Sequence, residues 1–301
     1  MRQVKALIIG SKKTRTTGHI LSRVMNGKYI ESIIPEETVN NYNFIWRWGN
    51  AYTQIPRTYG GYIMNKATPI GMNKATMRIK LLENGFPCPK FINISHVHDA
   101  KYPLIARPVY HMKGRDFNIV ENATQAIAFL EHGYYLQEII ENKEEFRIFM
   151  YDKRVLECNI KVLVRTPRNP INKLIKNFRN GYIFKVIKMA TLPHDLIEYC
   201  RGINSCVGLN FSAIDCCISK SGTPFFFEVN SAPGLIERKA IKFCDKILSY
   251  VGFSPIQRDN LTGITPEDIA EIDNGNTSRQ PPNPSPFARS RIYDALDDTV
   301  R

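Results

Sequence analysis

Two apolar segments in the last third of the chain carry hard oxygen donors where core residues would be expected. "AIDCC" (213–217) holds Asp215, and "FFFEVNSAPGL" (225–235) holds Glu228 and Asn230. Leaving such carboxylates unpaired among buried strands costs on the order of several kcal/mol, and a bound cation offsets that cost. Strand alternation sets Glu228 and Asn230, two residues apart, on one face. Asp215 on a neighbouring strand completes a set of three oxygens. Few carboxylates plus room for phosphate oxygens is the preference of magnesium, with Mn2+ as an alternative. The plainer reading is a strand end followed by a Ser-Ala-Pro-Gly turn; it accounts for any one of these residues but poorly for the whole string.

The elements that must position these donors are of mixed type. "VKALIIGS" and "FIWRWG" (44–49) read as strands, and the Gly- and Pro-containing stretch from Gly49 to Pro69 reads as loop. Asn73 is placed to cap a helix over Lys74 to Asn84, with Met77, Leu81 and Leu82 on one side and Gly85 as its stop. "FPCPKFINI" is extended. "YPLIARPV", "FNIV" and "YYLQEII" read as strands around the loop "HMKGRD" (111–116) and a helix 123–132, capped by Asn122 and closed by Gly133. "EFRIFMYD", "RVLECNIKVLV", "FSAIDCCIS" and "PFFFEVN" are further strands. Pro193 opens a helix bearing Leu196, Ile197, Cys200 and Ile203, and a last helix covers 237–250. Strands alternating with helices define an α/β (α+β) protein. Residues 273–291, rich in Asn, Pro, Ser and Arg and nearly without aliphatics, belong to a tail expected to be flexible from 256 to 301.

Bulk properties narrow the function classes. The 301 residues allow two or three lobes, and 43% apolar with 23% charged residues is ordinary globular composition. No apolar run reaches the ~20 residues that span a bilayer, and the short Ala6–Ile9 run suits a buried strand better than a signal peptide. Seven scattered cysteines without CxxC or Cys/His spacing indicate neither a disulfide framework nor structural zinc, and the expected address is the cytoplasm. Forty-one Lys and Arg against 28 Asp and Glu give a net charge of +13, which attracts acidic partners. No nucleic-acid-binding signature accompanies it, so nucleic acid is not the expected partner. "GSKKT" (10–14) lacks P-loop spacing and reads as the turn after the first strand.

The string "EVNSAPGL" with its preceding "IDCC" resembles the C-terminal signature of the ATP-grasp superfamily, in particular the ribosomal-protein glutamate ligases and related carboxylate–amine ligases. The likeness extends from Asn73 to Val251 with its elements in order. It implies an N-terminal pre-ATP-grasp lobe (1–72), a small lobe with a phosphate flap (73–141) and a large lobe with the metal site (142–255), the last two clasping the nucleotide. Lys74 in "NKATMRIKLLENGFPCP" is similar to a lysine that reaches ATP phosphates. "PLIARPV" resembles a strand that normally carries a phosphate-binding lysine, here replaced by Arg107, a planar fork in place of a point charge. "HMKGRD" takes the place of the glycine-rich flap with one glycine, Gly114; Lys113 and Arg115 supply charge, and His111 is a further phosphate contact. "YLQEII" resembles the adenine-reading strand, at Gln137, Glu138 and Ile139. Glu145 and Arg147 match a D-x-R motif, its acid holding the ribose. "IKNFRNG" supplies Asn177 and Lys176 near the phosphates. Asp215, Glu228 and Asn230 match the magnesium ligands.

What the resemblance implies is ATP- and Mg2+-dependent activation of a carboxylate as an acyl-phosphate, then attack by an amine to give an amide, ADP and phosphate. Lys74 and Arg147 are the expected catalytic cations, with Arg107 beside them. The acceptor is expected to be an acidic peptide, protein or small-molecule carboxylate, joined to an amine donor; an oligomer is compatible with this. Arg47 in "IWRWGN" and Arg57 in "RTYGGY" either line the acceptor pocket or serve as core strand and loop. Two alternatives remain at this point: an ATP-grasp kinase of a polyanionic small molecule, and a nucleotide-binding module without turnover.

Overall fold

The computed structural model describes residues 2–31, 36–50, 53–66, 74–108, 117–164, 176 and 181–256, with Glu36, Glu37 and Lys74 described by backbone alone. The chain begins with β1 (Ala6–Ile9), α1 (Arg15–Val24), β2 (Lys28–Ile30), a short α2 (Glu36–Val39), β3 (Phe44–Arg47) and β4 (Tyr62–Met64). These strands form a parallel sheet in the order β2-β1-β3-β4. The unbroken apolar run of β1 follows from burial on both faces: Ala6 and Ile8 enter one core, Leu7 and Ile9 another. The stretch Gly49–Pro69 is therefore not all loop, because it contains β4, a three-residue edge strand too short to show a pattern. The "GSKKT" turn leads directly into α1.

Next come α3 (Lys74–Glu83), β5 (Phe91–Ile92), β6 (Leu104–Pro108), β7 (Asn118–Val120), α4 (Ala123–Glu131) and β8 (Tyr134–Glu138). The strands make an antiparallel sheet, β5-β8-β6-β7, covered by α4 over its own small core of Val97, Leu104, Ala106, Val120, Leu130 and Leu136. Asn122 caps α4 by accepting from the Gln125 N–H at 3.0 Å, as its sequence position predicts. Gly85 and Gly133, at φ +77° and +78°, end the helices that precede them. Asn73 lies outside the described residues.

The remaining elements are β9 (Asn142–Tyr151), β10 (Arg154–Leu163), β11 (Tyr182–Ile187), α5 (His194–Val207), β12 (Phe211–Ser219), β13 (Pro224–Asn230) and α6 (Glu237–Tyr250). Their antiparallel sheet runs β11-β10-β9-β12-β13. One face is buried under α3 and α5 through Met77, Leu81, Ile148, Leu196, Ile203 and Ile214. The other face is covered over half its length by the N-terminal sheet, α1 and α6. The seven cysteines are free thiols and six are buried, consistent with their positions in apolar runs. Among the described residues no helix is long and apolar enough to cross a membrane.

The parallel sheet is tied to the large sheet by polar as well as apolar contacts. The Tyr62 and Tyr151 hydroxyls meet at 2.9 Å. Asn65, left-handed at φ +56°, donates its N–H to Asn210 Oδ1 at 3.0 Å and accepts the Phe211 N–H at 2.8 Å. A Cβ on Gly49 (φ +67°) would stand 2.9 Å from that of Ala232, so the loop after β3 lies against the loop after β13.

Candidate functional site

The cross-strand register of the large sheet assembles the site. Asn159 on β10 pairs with Arg147 on β9, Arg147 with Asp215 on β12, and Asp215 with Glu228 on β13. Four polar side chains thus form one row across four strands, on the half of this face that the N-terminal sheet leaves uncovered. Asn230 lies two residues beyond Glu228 on the same face, opposite Ala213. Glu145 lies two residues before Arg147, opposite Cys217.

Within this row Arg147 forms a fork-to-fork pair, its Nε and Nη2 donating to Asp215 Oδ1 and Oδ2, each at 2.7 Å. Burial works against the Arg147 charge, but Asp215 outweighs it and lifts the guanidinium above its usual pKa. The guanidinium lies 4.7 Å from the centre of the Phe184 ring. Lys161 donates to Glu145 Oε2 at 3.1 Å, and Lys176 stands 3.4 Å from Glu145 Oε1 while also bonding Asn142. Burial likewise opposes the Lys161 charge; Asp215 and Glu145 reverse the effect and raise it. Arg107, reaching in from β6, is lowered by burial, while Tyr135, Glu228 and Glu145 favour its charge and Arg78 opposes it. The small sheet therefore contributes a cation to the same electrostatic cluster as the large one.

Seven of the residues singled out from the sequence converge here: Arg107, Glu145, Arg147, Lys176, Asp215, Glu228 and Asn230. Glu138 lies at the end of β8, its Oε1 accepting the Lys90 N–H at 2.9 Å and its own N–H donating to Lys90 O at 3.1 Å. Ile139 follows, half-buried. Gln137 is buried, and its side-chain oxygen accepts from Arg78, which also donates to Phe227 O at 3.2 Å. The side chain of Lys74, together with His111, Lys113, Gly114, Arg115 and Asn177, lies outside the described residues. Of the two N-terminal arginines, Arg47 donates to Thr53 O at 2.6 Å.

Sequence reasoning missed Lys161, Asn159 and Glu157 as members of the charged face. Their signal was present: Glu157, Asn159 and Lys161 alternate strictly within an otherwise apolar strand, the pattern of one polar face. Glu157 is buried between two lysines of α6, with Lys239 Nζ at 2.6 Å and Lys242 Nζ at 2.7 Å. Arg78, which links α3 to both sheets, carried no such signal.

Asp215 and Glu228 are directly opposed on adjacent strands, and Asn230 shares their face. Two carboxylates and one amide oxygen form a hard donor set that fits Mg2+. Among the described residues no group of three His, Cys, Asp or Glu side chains is placed for a metal; the third oxygen on this face is the Asn230 amide. Asn230 Oδ1 also accepts the Ala232 N–H at 3.0 Å, which fixes the orientation of the amide.

No protein-family model matches the sequence, and no curated protein matches it. Solved structures share its fold. The ATP-grasp ligase PsnB, complexed with a minimal precursor, has a TM-score of 0.60 at 13% identity, covering 82% of this chain and 99% of that one. D-alanine–D-alanine ligase from Bacillus anthracis gives 0.57 at 16% identity, covering 82% and 96%. A RiPP-associated ATP-grasp ligase from Chryseobacterium gregarium, in complex with ADP and a leader and core peptide, gives 0.52 at 13%, covering 85% and 100%. PsnB has also been solved with Mg and ADP. The chain has the ATP-grasp fold.

Proposed function

We propose that the protein is an ATP- and Mg2+-dependent carboxylate–amine ligase whose acceptor is a peptide or protein carboxylate. The observation that carries the reading is the row Asn159–Arg147–Asp215–Glu228, which joins a magnesium-type donor set to a fixed cation at the mouth of an ATP-grasp cleft. Glu138 and Ile139, with Gln137 behind them, are assigned to the adenine side, and Glu145 to the ribose. Lys74, Arg107, Lys113, Gly114, Lys176 and Asn177 are assigned to the phosphates. Magnesium held by Asp215, Glu228 and Asn230 would supply polarisation of the phosphate oxygens.

In this reading an acceptor carboxylate oxygen attacks the γ-phosphorus and the bond to the ADP oxygen breaks, leaving an acyl-phosphate. An amine then attacks the acyl carbon, loses a proton and expels phosphate, forming the amide. Positioning and charge neutralisation carry most of the work in such a transfer. Arg147 and Arg107 offer fixed positive charge that needs no reorganisation as negative charge develops. Asp215 locks Arg147 in one orientation.

The test is ADP release with Mg2+ over a panel of amino acids and acidic peptides, with products read by mass spectrometry. The expected product gains the mass of one added residue, and Asp215→Asn or Glu228→Gln lowers turnover about a hundredfold or more while the protein stays folded. Full turnover by a folded Glu228→Gln protein would sink the metal assignment. A phosphorylated product formed without an amine would make the protein a kinase.

A further inference from the structure

The large sheet ends on β11, and this edge is unlike the rest of the surface. Six of the nine exposed large apolar side chains among the described residues lie on β11 or beside it: Ile183, Phe184 and Val186 on the strand, Leu163 and Val164 at the end of β10, and Met189 just after β11. Their exposure runs from 39% at Ile183 to 58% at Val164, high for such residues gathered in one place. Among the described residues β11 pairs with β10 alone. The Val164 N–H donates to Gly181 O at 2.8 Å, which sets the phase of the antiparallel ladder. Gly181, Ile183 and Lys185 then turn their backbone groups toward β10, while Tyr182, Phe184 and Val186 turn theirs outward. An apolar strand edge with outward amides is a template for another strand.

We infer that the outer edge of β11 binds an extended acidic peptide as an added antiparallel or parallel strand, and so leads it into the site. The inference rests on the ligase reading for the claim that this peptide is the acceptor. Charge selects the occupant. Of the described residues between Glu157 and Asp195, Lys161, Lys176, Lys185 and Lys188 are basic and none is Asp or Glu, and Lys185 and Lys188 are exposed. A second copy of the chain would set lysines against lysines, which opposes pairing. Nucleic acid would meet the charge but has no strand edge to satisfy the outward amides. The edge is also continuous with the site: Phe184 covers Arg147, with Lys161 Nζ 5.8 Å from its ring centre, and Val186 lies opposite Asn159. Side chains of an added strand on that face would point toward the row that includes Asp215.

Val186→Pro deletes one outward N–H and leaves the β10 ladder intact, since proline is tolerated where a strand's N–H faces solvent. Val186→Ala keeps that N–H and shortens only the side chain. The full-length protein is titrated with a fluorescein-labelled decapeptide of alternating Glu and Val, read by anisotropy, and with an ATP analogue on the same samples. The expected result is peptide binding weakened roughly tenfold or more by Val186→Pro, as for loss of a backbone pairing, with Val186→Ala much closer to the parent. Nucleotide affinity should stay unchanged in both. Should Val186→Pro melt early, Lys185→Glu, a charge reversal on the same edge, gives the corresponding loss. Equal peptide binding by parent, Val186→Pro and Lys185→Glu overturns the inference. So does absence of binding by the parent, tighter binding of a single-stranded oligonucleotide at this edge, or self-association that Val186→Pro abolishes. Loss of nucleotide binding throughout would instead count against the ligase reading, because the analogue reports on that site alone.

Discussion

The uncovered and covered halves of one sheet face follow opposite rules on the same strands. Toward one end β9 and β12 present Phe149, Tyr151, Phe211 and Ala213, which enter the core shared with the N-terminal sheet and α6. Toward the other end the same strands present Glu145, Arg147 and Asp215, which belong to none of the apolar clusters formed by the described residues. Where a second layer covers the sheet, side-chain packing fixes the structure. Where none does, charges hold one another: Arg147 to Asp215, and Lys161 and Lys176 to Glu145. The charged half is therefore held by its own ion pairs, which fix the orientation of each cation as electrostatic preorganisation requires.

The contrast can be broken from either side. The largest effect is expected from Phe211→Ala, since this fully buried ring packs on Trp46 and Trp48 at centroid distances of 5.1 and 5.5 Å. It should cost about 3–5 kcal/mol in chemical denaturation while leaving the nucleotide affinity of the folded fraction intact. Arg147→Met should cost less, about 2–3 kcal/mol, because the Asp215 carboxylate loses its two charged hydrogen bonds yet stays partly wet. Unlike Phe211→Ala it should also abolish ADP release, so equal turnover in the folded fractions of the two variants would erase the distinction.

Glu157 lies on the border, where α6 reaches over the charged strip, and gives the smallest and most pH-sensitive effect. Burial alone would raise its carboxyl, but Lys239 and Lys242 hold it below the ordinary 4.5. A depressed carboxyl adds stability that is fully present above the unfolded value and is lost as pH falls through the folded one. Glu157→Gln should therefore cost about 1–2 kcal/mol at neutral pH. The gap from the parent should close as the pH drops below 4.5 in melts taken across an acid series. A gap independent of pH would assign Glu157 a packing role alone.

How much of this was legible in the sequence depended on which forces shape each element. That Asp215, Glu228 and Asn230 share one face could be read, because a carboxylate inside "FFFEVN" is anomalous in itself and strand alternation does the rest. β9, β10, β12 and β13 were legible from their long apolar runs. β11 was not, because "YIFKVI" is exposed on both sides and lacks the alternation that half-burial imposes. The sequence of α1, "RTTGHILSRV", carries two threonines and Gly18, all weak helix formers. Gly18 is explained only in three dimensions, since a Cβ there would stand 2.2 Å from the Tyr29 ring. The partner of Asp215 was also hidden: "EFR" suggested a role for Arg147, but only register places it opposite Asp215 rather than beside Glu145.

The exchange of hydrogen bonds between Asn65 and the Asn210–Phe211 turn has a mechanical consequence. Among the described residues there are three sheets, yet two of them share a core and are pinned by this exchange, by Tyr62–Tyr151 and by the close approach at Gly49, so they form one body. The small sheet has a core of its own and joins that body through backbone ties such as Phe226 N to Pro87 O and Lys220 N to Glu141 O, each 2.9 Å. Arg107 thus belongs to one of these bodies and Asp215, Glu228 and Arg147 to the other, so the electrostatic cluster spans the join between them.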